Sequence, residues 1–339
     1  MPNLRPFPDP RPFIVTPGEP AGIGAEIAIK SWCAGHRDIC VIEAPDRMAE
    51  IIAALGTPIA IKTITHPDQF NADQDALHIV PIDWPVPPIA GFPDSRNGQV
   101  VIDAITTAAR LCQSGAASGM VTNPIQKSSL YEAGFGYPGH TEFLASLGQV
   151  DAGGPMMMLA CDDLKVVPLT IHVPISTVAD SLSQDLIIAA GQLLDASLKR
   201  YFAVTAPRIA VAGLNPHAGE NSSIGTEDHD IIQPAIAHLQ QTGINATGPH
   251  PADTLFYAEA RKTYDAVLGM YHDQVLIPLK TLDFFSGFNI TLGLDFIRTS
   301  PDHGTGLDIA GSGTARPDSL IAAIKMARKM AAAAQASSI

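Results

Sequence analysis

The chain has 339 residues, 46% of them hydrophobic and 16% charged, and a formal net charge of −13 at pH 7 from 34 acidic and 21 basic residues. That length and composition fit one large α/β unit or two domains with a sizeable core. The acidic balance argues against a nucleic-acid or anionic-membrane partner, because both need a positive field; a small phosphorylated molecule needs only a local basic cluster.

There is no apolar run of about 18 residues, so no membrane span is expected. The start, Met1 to Arg11, is rich in proline and lacks the apolar centre of a secretory signal. Cys33, Cys40, Cys112 and Cys161 show no C-x-x-C spacing. They read as reduced, buried residues of a cytoplasmic protein.

Phe13 to Thr16 reads as a short strand running into Pro17-Gly18-Glu19-Pro20-Ala21-Gly22-Ile23-Gly24-Ala25-Glu26, with a helix from about Glu26. A strand, a glycine-rich turn and a helix let backbone N–H groups face an anion or a cofactor. The spacing is not G-x-G-x-x-G, so no Rossmann fingerprint is present. Strands at Ile39–Ile42 and His78–Ile82 flank a helix at Asp46–Leu55. Residues 81–94 hold five prolines and read as loop. A helix over Asn97–Cys112, a strand at Gly119–Thr122 and a helix over 125–133 come next, the last entered through Asn123-Pro124. Thr141 reads as the N-cap of a further helix. Strands at Met156–Ala160 and Val166–Ile171, a helix at Gln184–Tyr201 and a strand at Arg208–Ala212 follow. Helices are expected from about Glu227 and after Pro251-Ala252-Asp253-Thr254. Ala266 to Met270 is long enough for a buried strand, and Pro317 to Ala334 forms a final helix. The alternation predicts an α/β fold with a mainly parallel sheet.

His172, His217 and His272 each follow an apolar strand, and parallel strands would deliver all three to one sheet edge. Three neutral imidazoles with an open fourth position make a catalytic zinc or similar site, although these spacings match no standard metal motif. Asp253, Asp273 and Glu142 are candidate partners for fixing the imidazole tautomers. His36, His66, His78, His229, His238 and His250 read as structural. After His272-Asp273-Gln274 come Lys280, Asn289 and Arg298, a trio suited to an anionic, hydroxylated substrate.

The segment Asp302-His303-Gly304-Thr305-Gly306-Leu307-Asp308-Ile309-Ala310-Gly311 resembles the loop that holds the cofactor's adenosine in isocitrate and isopropylmalate dehydrogenases. Residues 17–26 resemble the P-G-D-G-I-G-P-E turn of those enzymes. Their metal is held by aspartates, whereas the candidates here are histidines. TPGEPAGIG, PGHTEFLA, GLNPHAGE, YDAVLGMYHDQ, NITLGLDFIRTSPDHGT and LDIAGSG together resemble the 4-hydroxythreonine-4-phosphate dehydrogenase family of vitamin B6 synthesis, from about Phe13 to Ala327.

The resemblance implies a three-layer α/β/α, isocitrate-dehydrogenase-like architecture. Two intertwined lobes would surround a mixed, mostly parallel sheet. The lobes are expected at about 1–125 plus 285–339 and about 126–284. It implies a divalent cation (zinc, magnesium or cobalt) on His172, His217 and His272. His140, Thr141, Lys280, Asn289 and Arg298 would contact the substrate. NAD or NADP would bind near Gly18, Gly22, Gly24, His303, Gly304, Thr305 and Asp308, with Lys280 and Asp253 as candidates for proton handling. The implied reaction oxidises 4-phosphooxy-L-threonine at C3 and decarboxylates it to 3-amino-2-oxopropyl phosphate.

The resemblance also implies a homodimer sharing the metal site, with His172 and His217 from one chain and His272 from the other. Thr122-Asn123-Pro124-Ile125-Gln126-Lys127 departs from the family's T-G-P-V-H-K. That departure keeps open a related dehydrogenase acting on another four-carbon acid such as 4-phosphoerythronate. A metal-dependent hydrolase and a non-catalytic ligand sensor are the other readings.

Overall fold

The computed structural model describes residues 11–72 and 74–336, so the proline-rich start before Arg11 lies outside the described residues. The strands in chain order are β1 (Phe13–Thr16), β2 (Ile39–Glu43), β3 (Ala60–Thr63), β4 (Ala76–Pro81), β5 (Gly119–Thr122) and β6 (Met156–Cys161). They continue with β7 (Leu164–Thr170), β8 (Arg208–Ala212), β9 (Asn245–His250), β10 (Ala266–Tyr271), β11 (Phe288–Leu292) and β12 (Arg298–Pro301). The chain packs as two compact units. The first joins the described chain up to Gln149 to Asp295–Ala331, and the second holds Val150–Leu294. The sequence expectation placed the lobe boundaries near 125 and 285. Residues 126–149 cluster with the first unit because helices Lys127–Glu132 and His140–Leu147 both pack against helix Gly98–Gln113.

In the first unit the strand order is β3-β4-β2-β1-β5-β12, and every described pairing in it is parallel. β1 (FIVT) and β2 (ICVIE) are buried along their whole length, as continuous apolar runs in a sheet covered on both faces should be. In the second unit the order is β11-β6-β7-β10-β8-β9. β11–β6 and β6–β7 are antiparallel, and β7–β10, β10–β8 and β8–β9 are parallel. The result is the mixed, mostly parallel α/β arrangement anticipated above.

Helix His272–Leu282 starts directly at the end of β10. It sends Val275 and Leu279, one turn apart, into a core with Leu159, Val166, Ala210 and Val267. Two expectations need correction. Pro251–Thr254 opens only a 3₁₀ turn, Ala252–Thr254, and a four-residue helix, Ala258–Arg261. Cys33 is exposed at the C-terminal end of helix Gly24–Cys33.

Parallel pairing in the first unit carries the turn after β1, the segment after β5 and the loop after β12 to one sheet edge. The turn and the loop meet backbone to backbone: Ile23 N donates to Thr305 O at 3.0 Å. A Cβ on Gly22 would stand 2.5 Å from that same oxygen. Gly22→Ala therefore has to push the two segments apart. It is predicted to lower the unfolding free energy by about 1–3 kcal/mol, measured by denaturant titration.

Candidate active site

The candidate side chains fall into two groups, one in each unit. In the first, Arg298 opens β12 opposite Met120 of β5. Side chains two apart on a strand share a face, so Arg298 runs along the sheet to Thr122. Its Nε and Nη2 donate to Thr122 Oγ1 at 3.1 and 2.7 Å. The residue is only 4% exposed. Burial pulls its guanidinium pKa down to about 10, against an upward pull from Glu142. Half-buried His140 begins helix His140–Leu147. Its Nε2 is buried without a hydrogen-bond partner. Burial first, then the positive charges of Arg298 and Lys127, hold this imidazole well below the usual histidine range, so it is neutral at pH 7.

Thr141 does not cap the helix as expected. Gly139 is the N-cap, with no side-chain bond, and Thr141 lies half-buried inside the first turn. A buried cation on β12 and, at the start of helix His140–Leu147, a neutral imidazole and a hydroxyl are side-chain types suited to an oxyanion.

The cofactor candidates divide in two. Gly18, Gly22 and Gly24 are explained by the chain itself. A Cβ at Gly18 would meet Pro124 O at 2.5 Å and Asn123 Cβ at 2.7 Å, and one at Gly24 would run into Pro17 O. Gly304, by contrast, has open space where a side chain would be. His303 beside it shares its Nδ1 with Gly304 O at 2.8 Å and buries an unpartnered Nε2. Thr305 is half-buried and Asp308 exposed. Asn123 and Gln126, the departures from the family pattern, also have uses. Asn123 Nδ2 donates to Thr16 O at 3.0 Å and Gly24 O at 3.3 Å, fastening the turn after β1. Gln126 Nε2 donates to Ser128 Oγ at 3.1 Å.

In the second unit, β7, β10 and β8 run parallel, so their ends bring His172, His272 and the His217 loop to one edge. The rings of His172 and His272 have centroids 6.0 Å apart. With metal–nitrogen bonds of about 2 Å, two imidazoles on one cation have centroids roughly 5–6 Å apart, so this pair fits a shared ion. His272 Nδ1 is held by Asp273 Oδ1 at 2.7 Å, the carboxylate that fixes its orientation. His217 does not complete the set within the chain. Among the described residues no three His, Cys, Asp or Glu side chains are grouped to hold a metal ion. The family resemblance grouped His172 with His217; within this chain the His172 ring lies beside that of His272, because β7 and β10 are direct neighbours.

Exposed Asp253, with Asp273, Gln274, Tyr271 and Ile277, lines a pocket of about 450 Å³ beside helix His272–Leu282. Lys280, on the last turn of that helix, lies 5.3 Å from the Phe284 ring centre. Asn289 on β11 keeps a buried Oδ1 without a hydrogen-bond partner.

A family model described as "Pyridoxal phosphate biosynthetic protein PdxA" matches residues 35–327. The chain belongs to the PdxA family. It is 48% identical over 328 residues to a 4-hydroxythreonine-4-phosphate dehydrogenase of Caulobacter vibrioides, covering 95% of this chain and 98% of that protein. Its identity to one of Methylorubrum populi is 46% over 332 residues, covering 95% of each. The crystal structure of a 4-hydroxythreonine-4-phosphate dehydrogenase from Klebsiella pneumoniae superposes with a TM-score of 0.88 at 38% identity, over 96% of this chain and 99% of that one. A terephthalate 1,2-cis-dihydrodioldehydrogenase from Burkholderia xenovorans also superposes, with a TM-score of 0.64 at 25% identity over 94% and 98% of the two chains. Fold alone therefore does not set the substrate.

Sequence reasoning missed Asp228, although it organises the PdxA-type GLNPHAGE segment. Its buried carboxylate accepts from Leu214 N at 2.8 Å and from Asn215 N at 3.0 Å. The only signal was an acidic residue just after a polar turn.

The burial of Arg298 yields a prediction. The charge is held at a desolvation cost, so Arg298→Met should leave the melting temperature unchanged or raise it. The same variant should lose any rise in melting temperature that inorganic phosphate gives the unaltered protein. A large fall in melting temperature with phosphate protection intact would make Arg298 structural.

Proposed function

We propose that the chain is an NAD- or NADP-dependent 4-hydroxythreonine-4-phosphate dehydrogenase. It would oxidise 4-phosphooxy-L-threonine at C3 and release CO₂ to give 3-amino-2-oxopropyl phosphate. The observation that carries this reading is near-full-length identity with proteins of that name, and the side-chain chemistry of both units supports it.

His172 and His272 would hold a divalent cation (zinc, magnesium or cobalt), with His217 as the third donor. When bound, the cation supplies Lewis acidity at the C3 oxygen and the nicotinamide accepts the hydride. The rest falls to the protein's own groups. Arg298 and Lys280 neutralise the phosphate and carboxylate, Arg298 through a fork that fixes orientation. Neutral His140, Thr141 and Asn289 supply hydrogen bonds to uncharged or anionic oxygens. Asp253 and Lys280 are the proton-handling groups proposed for the C3 hydroxyl. Gly304, with the adjoining His303, Thr305 and Asp308, is the proposed contact for the cofactor's adenosine side. The glycines at 18, 22 and 24 shape the turn that supports this loop. No described helix is long and apolar enough to cross a membrane, and a cytoplasmic setting suits the reduced cysteines and the nicotinamide.

A homodimer is part of the proposal. Ile277, Phe284 and Phe285 are 64%, 67% and 52% exposed around the end of helix His272–Leu282. Large apolar side chains gathered in one place mark a surface that associates. With His172 and His272 paired in one chain, the third donor would come from a second copy.

The direct test is a panel of phosphorylated four-carbon hydroxy acids with NAD and with NADP, followed by reduced-nicotinamide absorbance and CO₂ release. Turnover should be highest with 4-phosphooxy-L-threonine and should disappear on removal of metal. Preference for 4-phosphoerythronate would move the chain to a sister activity. Hydrolysis without cofactor reduction would make it a hydrolase.

Subunit sharing has its own test. His217→Ala and His272→Ala are each predicted to be inactive. Mixed and allowed to exchange, they should recover about a quarter of the original activity, since half the dimers are mixed and each has one intact site. Tagged mixed dimers that stay inactive would place all three donors in one chain or remove these histidines from the site.

A further inference from the structure

The loop after β8 has an unusual backbone. His217, Ala218, Gly219, Glu220, Asn221 and Ser222 all have positive φ, from 42° to 78°. Residues bearing a Cβ are strained there, and such strain persists only where surrounding structure imposes it.

Two side chains hold the residues that lead into this stretch, Gly213 to Asn215. Asp228, 2% exposed, accepts from Leu214 N, from Asn215 N and from Asn215 Nδ2 at 2.8, 3.0 and 3.0 Å. A Cβ on Gly213 would lie 2.7 Å from Asp228 Oδ1, so the loop sits directly on this carboxylate. Gln274 grips the other side of Gly213. Its Nε2 donates to Gly213 O at 2.7 Å, and its Oε1 accepts from Met270 N, also at 2.7 Å. One amide thus spans from the loop bearing His217 to the strand that presents His272. Gly213 N is itself taken by His250 O at 2.8 Å.

We infer that Gln274 is a positioning residue which, with Asp228, fixes the His217 loop against the end of β10. The inference rests on the reading of His217 as a cation donor. It assigns to the HDQ segment two separate tasks: His272 toward the cation, Gln274 toward the scaffold. Substituting partners that orient metal ligands typically weakens metal binding about 10–100-fold.

The experiment uses the metal-stripped full chain, Zn²⁺ and a competing chromophoric chelator, with the melting temperature of each metal-free variant recorded in parallel. Gln274→Ala should bind Zn²⁺ about 10–100-fold more weakly than the unaltered chain. Its metal-free melting temperature should fall, since Met270 N and Gly213 O lose a partner, while the chain stays folded. Gln274→Met keeps the length but neither hydrogen bond and should be as weak. Gln274→Glu keeps the acceptor for Met270 N but sets a carboxylate oxygen against Gly213 O, and should also fail to restore affinity. Restoration by Met, or unchanged Zn²⁺ affinity in Gln274→Ala, overturns the inference while leaving the cation reading intact. Absence of Zn²⁺ binding by the unaltered chain, or unchanged affinity in His217→Ala, overturns both.

Discussion

Parallel strand pairing is the constraint on which the rest depends. A parallel ladder sends every strand the same way, so whatever follows the strands in sequence collects at one edge. In the second unit this brings together residues that follow Thr170, Ala212 and Tyr271, far apart in the chain. In the first it gathers the turn after β1, Asn123 and the loop after β12. Most of these strands are apolar and their direction places the chemistry; Arg298 on β12 and Asn289 on β11 are candidate residues borne by strands themselves. This is the general rule for ligand sites in open α/β sheets.

Against that frame, polar groups left without partners become informative. His140 Nε2, His303 Nε2 and Asn289 Oδ1 are buried and unpaired among the described residues. Folding alone gives no return for such burial, because an unsatisfied polar group costs about 1–3 kcal/mol. All three lie on segments that the sequence singled out for binding. Glycines tell the opposite story at residues 18, 22 and 24, where the chain's own backbone occupies the space a side chain would need. A motif glycine can therefore serve a site indirectly, by letting two supporting segments touch.

Much of this was legible in the sequence, for identifiable reasons. β1, β2, β5, β8 and β10 are apolar runs ending at turn residues, and each was found. β3 and β9 were not. Both are edge strands, paired on one side only, with polar and exposed residues and, in β9, an internal Gly-Pro. β12 reads RTSP and is wholly buried; no hydrophobic pattern could reveal a strand made of polar residues. The histidines stood out because each closes an apolar run. Which two would face each other depended on strand order, which spacing does not encode. Asp228 and Gln274 act on backbone atoms brought near only by folding, so residue type gave no hint of their partners.

The central claim is that strand-end imidazoles gather a single cation at the edge of the second unit's sheet. X-ray absorption at the zinc edge of the Zn²⁺-loaded full chain tests it most directly. The account predicts outer-shell scattering from more than one imidazole, reduced in His172→Ala and in His272→Ala alike. A first shell of oxygen ligands alone, unchanged by either substitution, would contradict it.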